Sequence, residues 1–136
     1  MKKTRILILS GGFGGIYAAL EFERRCDPQF DVTLIRQDNF FLFTAMVHEV
    51  ACTDLDVTHI VNLIRKMLRH LRSFEGQILS VDTGARKVSV SHSFEQYSHV
   101  LEYDHVVFAL GCVTNFYGIP NLAESGFVAW WLWRTI

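Results

Sequence analysis

Six consecutive residues, Ser10-Gly11-Gly12-Phe13-Gly14-Gly15, have the spacing best suited to chemistry in this chain. Glycines let backbone amides approach a phosphate closely, and a helix starting there adds unpaired N–H groups and the positive end of its dipole. In a dinucleotide turn of the form G-x-G-x-x-G, the first glycine makes the tight bend. The second admits the pyrophosphate, and the third lets the helix pack on the strand. Gly12 and Gly15 fit the second and third roles, and Ser10 stands where the first glycine belongs. Serine there is inexpensive if φ is negative and costs about 1 kcal/mol or more if φ is positive. The companion signal is an acid roughly 20 residues further on, which holds the adenosine ribose. Arg36 occupies that place and suits a 2′-phosphate, while Asp38 lies within reach of a ribose. The turn therefore reads as a nucleotide site or, in its plain alternative, as a glycine-rich turn that only packs.

Other chemistries find little support. Cys26, Cys52 and Cys112 are odd in number and form no C-x-x-C pair, so neither a disulfide framework nor a zinc site is expected. Cys52 and Cys112 read as packed small residues. His48, His59, His70, His92, His99 and His105 lack metal-ligand spacing, even with Glu49 beside His48, and read as solvated or structural. No metal is expected. A formal net charge of −1 with half the residues apolar excludes disorder and carries no nucleic-acid-binding signature. At 136 residues the chain suffices for one domain with a real core. It has no apolar run of membrane-spanning length, and the run after Met1-Lys2-Lys3 is too short for a signal peptide. A cytoplasmic setting is expected.

The elements that must position the turn follow from periodicity. Arg5 to Leu9 predicts a strand, about Gly14 to Cys26 a helix ended by Asp27-Pro28, and "FDVTLIR" a second, adjacent parallel strand. The following "QDNFFLFTAMVHEVACTDLDVTHI" is loop-like, and its aromatic cluster Phe40, Phe41, Phe43 should cover something. Asp56 to Arg72 predicts a helix with Ile60, Ile64, Met67, Leu68 and Leu71 on one stripe. Its basic face, Arg65, Lys66, Arg69 and Arg72, is more simply a solvated face than a site for phosphates or anionic lipid. Residues around Asp82-Thr83-Gly84-Ala85 predict a hairpin, and a third strand follows near His99 to Tyr103. "DHVVFALG" predicts a short buried strand returning beside the first. The fold class is α/β, a Rossmann-type parallel sheet with an inserted antiparallel β-meander.

Together, "ILILSGGFGGIYAAL", "DNFFLFTAMVHEVA", "DLDVTHIVNLIRKMLR" and "YDHVVFALGCVTNFYGIPNL" resemble the N-terminal part of type II NADH dehydrogenases, flavoproteins of the pyridine nucleotide-disulfide oxidoreductase superfamily. The resemblance runs from Thr4 to about Glu124 and implies FAD in this first Rossmann unit. It places Gly12, Phe13, Gly14 and Gly15 along the FAD pyrophosphate and Asp38 with Asn39 near the adenosine end. Phe43 to His48 would run close to the isoalloxazine, and Ala109, Leu110 and Gly111 would return to the flavin, followed by Thr114 and Asn115. It assigns no catalytic residue. The family passes a hydride from NADH to flavin and two electrons on to a quinone, at times from the cytoplasmic face of a membrane.

Ser10, Arg36 and Ala45 depart from the family pattern, and only one cysteine, Cys52, stands where a redox disulfide would need two. After a domain of residues 1–124 the family continues through a helix into an NADH-binding domain. This chain instead reads "SGFVAWWLWRTI", an aberrant Trp-rich tail over 125–136 that suggests a frameshift or premature termination, or else a short interfacial anchor. The expectation is FAD binding with negligible NADH dehydrogenase activity for the chain alone. The competing readings are an NAD(P)-binding Rossmann module, favoured by Arg36, and a non-catalytic remnant.

Overall fold

In the computed structural model, which describes residues 3–91, 98–112 and 115–121, β1 (Thr4–Leu9) runs into the glycine turn and α1 (Phe13–Arg25) leaves it. Good helix formers fill the second half of α1, and Glu21 bonds to Arg24 and Arg25 at spacings of three and four. The helix ends before Pro28. Cys26 takes the left-handed conformation (φ 47°) and its N–H bonds back to the Phe22 carbonyl at 3.0 Å. β2 (Phe30–Arg36) then lies parallel to β1 over its whole length, in the expected strand-turn-helix-strand order.

Two compact units follow from the contacts, one of residues 1–41 with 63–111 and one of 42–62 with 112–136. The chain leaves the first unit within β3 (Phe40–Leu42). In the second unit a 3-10 turn, Thr44–Met46, leads into the short α2 (Val47–Ala51), and Asp56 caps another 3-10 turn, Val57–His59, by accepting from Thr58 N–H at 2.8 Å. The side-chain hydroxyl of Thr58 also donates to Asp56, and these bonds hold the Asp56 carboxyl below its usual pKa. The segment expected to be loop-like therefore carries one short strand, one short α-helix and two 3-10 turns of its own. The chain re-enters the first unit within β4 (Val61–Leu63), and β3 and β4 make a two-stranded sheet.

The helix expected over Asp56 to Arg72 does not form. Ile60, Ile64 and Leu68 are buried as their spacing implies, but only α3 (Ile64–Met67) is α-helical, and Leu68 is already extended. Upstream, Val61–Leu63 pairs with β3 as β4, and beyond α3 the reason lies outside the segment. The Glu23 carboxylate accepts the N–H groups of Arg69, His70 and Leu71 at 2.7, 2.8 and 2.9 Å, the donors a continuing helix would have used. The chain then enters β5 (Arg72–Glu75), which pairs in parallel with β2. A tertiary acceptor and a ladder position outweigh local propensity.

β6 (Gln77–Asp82), β7 (Lys87–Ser91) and β8 (Ser98–Glu102) form the antiparallel meander, turning at Asp82, whose side chain accepts from Ala85 N–H at 2.8 Å. β9 (His105–Phe108) returns beside β1, giving the parallel order β5-β2-β1-β9. Side chains alternate across the sheet. Ile8 faces α1, while Leu7, Leu9 and Ile35 form a cluster with Val88, Val90 and Tyr103 from the meander side. Two expectations need correction. β9 is half-buried, because it is the edge strand among the described residues, with Phe108 54% exposed. Cys52 and Cys112 are exposed and unpaired, so they do not serve as packed core residues.

Candidate functional site

The glycine turn sits at the C-terminal ends of β1 and β2, where open α/β sheets place their ligands. Ser10 donates its N–H to the Ile35 carbonyl at 2.9 Å and holds φ at 94°. With φ positive, this serine is strained where glycine would not be. Part of the cost is offset locally, because the Ser10 hydroxyl oxygen accepts the Gly12 N–H at 3.3 Å.

Each glycine after Ser10 meets a different constraint. A Cβ at Gly15 would overlap the Ser10 carbonyl oxygen and lie 2.9 Å from its carbon, so only glycine lets α1 start this close to β1. A Cβ at Gly14 would touch Ala109 at 3.4 Å, which places the end of the returning strand beside the helix start. Ala109 itself donates its N–H to the Leu9 carbonyl at 3.1 Å. In front of Gly12 a Cβ would meet only the Ser10 hydroxyl, at 3.7 Å, and the residue is exposed. Gly12 is also the N-cap, in extended backbone without a side-chain cap, and the first intrahelical bond is Ile16 N–H to the Gly12 carbonyl at 2.9 Å. No acid occupies the first turn. The helix thus offers its positive end to an outside anion, with no carboxylate of its own competing.

Of the predicted site residues, Gly12, Phe13, Gly14, Gly15 and Ala109 come together at this turn. Phe13 stacks on Tyr17 with centroids 6.4 Å apart and meets Phe41 edge-on at 5.0 Å. Asp38 and Asn39 follow β2 and are exposed, and the Asn39 carbonyl accepts the Ile64 N–H at 3.1 Å. Gly111 lies two residues past Ala109 at φ 75° with nothing within 4 Å of a would-be Cβ. In the second unit His48 is exposed and 3.8 Å from Glu49. Asn115 accepts the Tyr117 N–H at 2.8 Å. Thr114 and the tail 125–136 lie outside the described residues.

Arg36 departs most from expectation. It is the one buried charged residue among those described, at 9% exposure. Its Nη1 donates to the Asp38 carbonyl at 2.6 Å and pairs with Glu75 at 3.3 Å, while its Nε has no hydrogen-bond partner. Glu75 carries no local signal of this role, since β5 lies where the periodicity predicts the end of a helix and the start of a hairpin. Glu23 carries none either, because the amides it accepts lie 46 to 48 residues further along the chain. Burial raises the Glu23 pKa, but the three backbone amides outweigh it and hold the carboxyl below its usual value. Bonds from Arg24 and Arg25 lower Glu21 to about 2.

Among the described residues no group of three or more His, Cys, Asp or Glu side chains could hold a metal ion, and no helix is long and apolar enough to cross a membrane. A cleft of ≈530 Å³ lies at the opposite, N-terminal edge of the sheet, lined by Glu23, Asp31, Arg72 and neighbours. Its acids are already engaged, Glu23 by amides, Asp27 by the Gln29 N–H and Asp31 by Arg72.

Residues 4–129 match the family model described as pyridine nucleotide-disulphide oxidoreductase. An external alternative NAD(P)H-ubiquinone oxidoreductase of Solanum tuberosum mitochondria is 29% identical over 133 residues, 90% of this chain and 22% of that protein. A type II NADH:quinone oxidoreductase of Mycobacterium tuberculosis is 27% identical over 89% of this chain and 25% of its own length. The structure of NDH2 from Plasmodium falciparum in complex with NADH superposes with a TM-score of 0.79 at 26% identity, over 90% of this chain and 25% of that one. The chain thus spans about a quarter of the length of the relatives it matches.

Proposed function

The chain belongs to the pyridine nucleotide-disulphide oxidoreductase family, and from that membership we propose that its glycine turn binds the pyrophosphate of FAD in a type II NADH:quinone oxidoreductase-like flavoprotein. The observation that carries the reading is Gly15, the residue without which α1 could not begin against Ser10 and offer its uncapped N-terminus to a diphosphate. Gly12, Phe13, Gly14 and Gly15 lie along the pyrophosphate, and Asp38 with Asn39 meets the adenosine ribose. The run Ala109 to Gly111, at the end of the strand beside the helix start, would hold the flavin end of the cofactor.

When bound, the flavin supplies the hydride and two-electron chemistry between NADH and a quinone. This chain's own part is to bind and orient it. The amides of the helix start neutralise the diphosphate without a basic side chain. The open space in front of Gly12 admits the pyrophosphate to backbone distance, and the buried strand ends Leu9 and Ile35 fix the turn from behind. NADH:quinone turnover is the reaction class we propose for the protein to which this site belongs.

The test is the absorption spectrum of the purified chain after incubation with FAD and desalting. A retained visible flavin band is expected. Complete loss of flavin from a folded chain would overturn the reading.

A further inference from the structure

We propose that Arg36 is a positioning residue whose ion pair with Glu75 clamps the turn 37–39 beside the glycine loop, so that the site accepts an adenosine diphosphate with free ribose hydroxyls and rejects a 2′-phosphate. The inference rests on the dinucleotide reading above and decides between its two forms.

Arg36 ends β2 next to the turn, since a Cβ on Gly11 would lie 3.3 Å from the Arg36 Cβ. An arginine that reads a 2′-phosphate must offer free donors in a forked array to the ligand. With Nη1 engaged and Nε buried, this one keeps no two-nitrogen fork free. Its side chain is 10% exposed, Nη1 bonds to the Asp38 carbonyl and to Glu75, and Nε is buried. A buried guanidinium is tolerable only with its charge paired, and Glu75 supplies the pairing from the register position directly across from Arg36 in β5. The backbone repeats the link, because the Arg36 carbonyl accepts the Gly76 N–H at 2.8 Å.

Two consequences follow for the ligand. The Arg36 bond to the Asp38 carbonyl, together with Asn39 C=O accepting from Ile64 N–H, holds two successive carbonyls of the turn. The Asp38 side chain stays exposed and able to accept from ribose hydroxyls. A 2′-phosphate would instead meet two carboxylates, Asp38 and the 39%-exposed Glu75, with the Arg36 charge already paired.

The experiment measures competition by ADP-ribose and 2′-phospho-ADP-ribose against FAD fluorescence quenching on the full chain, alongside backbone amide hydrogen exchange. Wild type should prefer ADP-ribose by about tenfold or more. Glu75→Gln removes one negative charge and frees Arg36, so the preference should shrink by at least half its logarithm, while Arg36→Lys should weaken both probes together. Tighter binding of the 2′-phospho probe by wild type, abolished in Arg36→Lys, would overturn the proposal. If neither probe nor FAD binds, it is the dinucleotide reading that has failed, and the clamp is then judged by exchange alone. Glu75→Gln should speed exchange at Gly76 and Ile64 about tenfold, and unchanged protection there would contradict the clamp.

Discussion

The two ends of the four-stranded parallel sheet are built to different rules. At the N-terminal ends of β1 and β2, polar groups are engaged several times over. Arg5 pairs with Glu102 at 3.0 Å and faces Asp104 at 3.6 Å, the Arg5 N–H bonds to the Asp104 side chain, Asp31 pairs with Arg72, and Glu23 gathers three amides. At the C-terminal ends the chain holds a serine at φ 94°, a buried guanidinium whose Nε has no hydrogen bond, and a helix start with no side-chain cap and no acid. Arg5 Nε also lacks a hydrogen bond, yet Asp104 stands before it, so the contrast lies in compensation rather than in count. Strain and unmet hydrogen bonding persist where surrounding structure enforces them, and in α/β sheets that is the ligand-binding edge. One end carries stability and the other carries the site.

The contrast can be broken at either end. The largest effect belongs to Gly15→Ala, whose Cβ would overlap the Ser10 carbonyl and force α1 away from β1. It should cost about 3 kcal/mol in urea unfolding and remove flavin retention, whereas a loss under about 1 kcal/mol would mean that the close approach is not real. Next is Glu23→Ala at the stabilising end, expected to cost about 2 kcal/mol by leaving three amides without their acceptor, with FAD affinity of the folded fraction unchanged. Its pH signature has a definite sign. The folded carboxyl lies below its ordinary value of 4.5, so its contribution is complete above that pH and is lost as pH falls through the folded value. Glu21, lowered to about 2, acts in the same direction. Denaturation curves at pH 5, 4 and 3 should therefore converge for wild type and Glu23→Gln. The smallest effect sharpens the other end: Ser10→Gly relieves the positive φ and should raise stability by about 0.5 kcal/mol without weakening flavin retention.

What was legible in the sequence follows the same division. β1, the glycine turn, α1 and β2 could be read from local pattern because each is determined by residues within its own stretch, and the hairpin at Asp82 to Ala85 likewise. The segment from Asp56 to Arg72 misled because its apolar spacing is real but its backbone donors are captured by Glu23, 46 to 48 residues earlier. The role of Arg36 was hidden for a related reason. Its partner Glu75 sits on β5, a strand whose existence depends on pairing with β2 and which has no periodic signal of its own. Interactions set by distant neighbours left no trace in windows of a dozen residues.

The measurement that tests the central claim most directly is an amide correlation spectrum of the isotope-labelled chain with and without FAD. The account predicts its largest shifts at Gly12, Gly14 and Gly15, with smaller ones at Asp38 and Asn39 and none at Arg69, His70 or Leu71. Shifts concentrated at the Glu23 end, or a spectrum that FAD leaves unchanged, would contradict it.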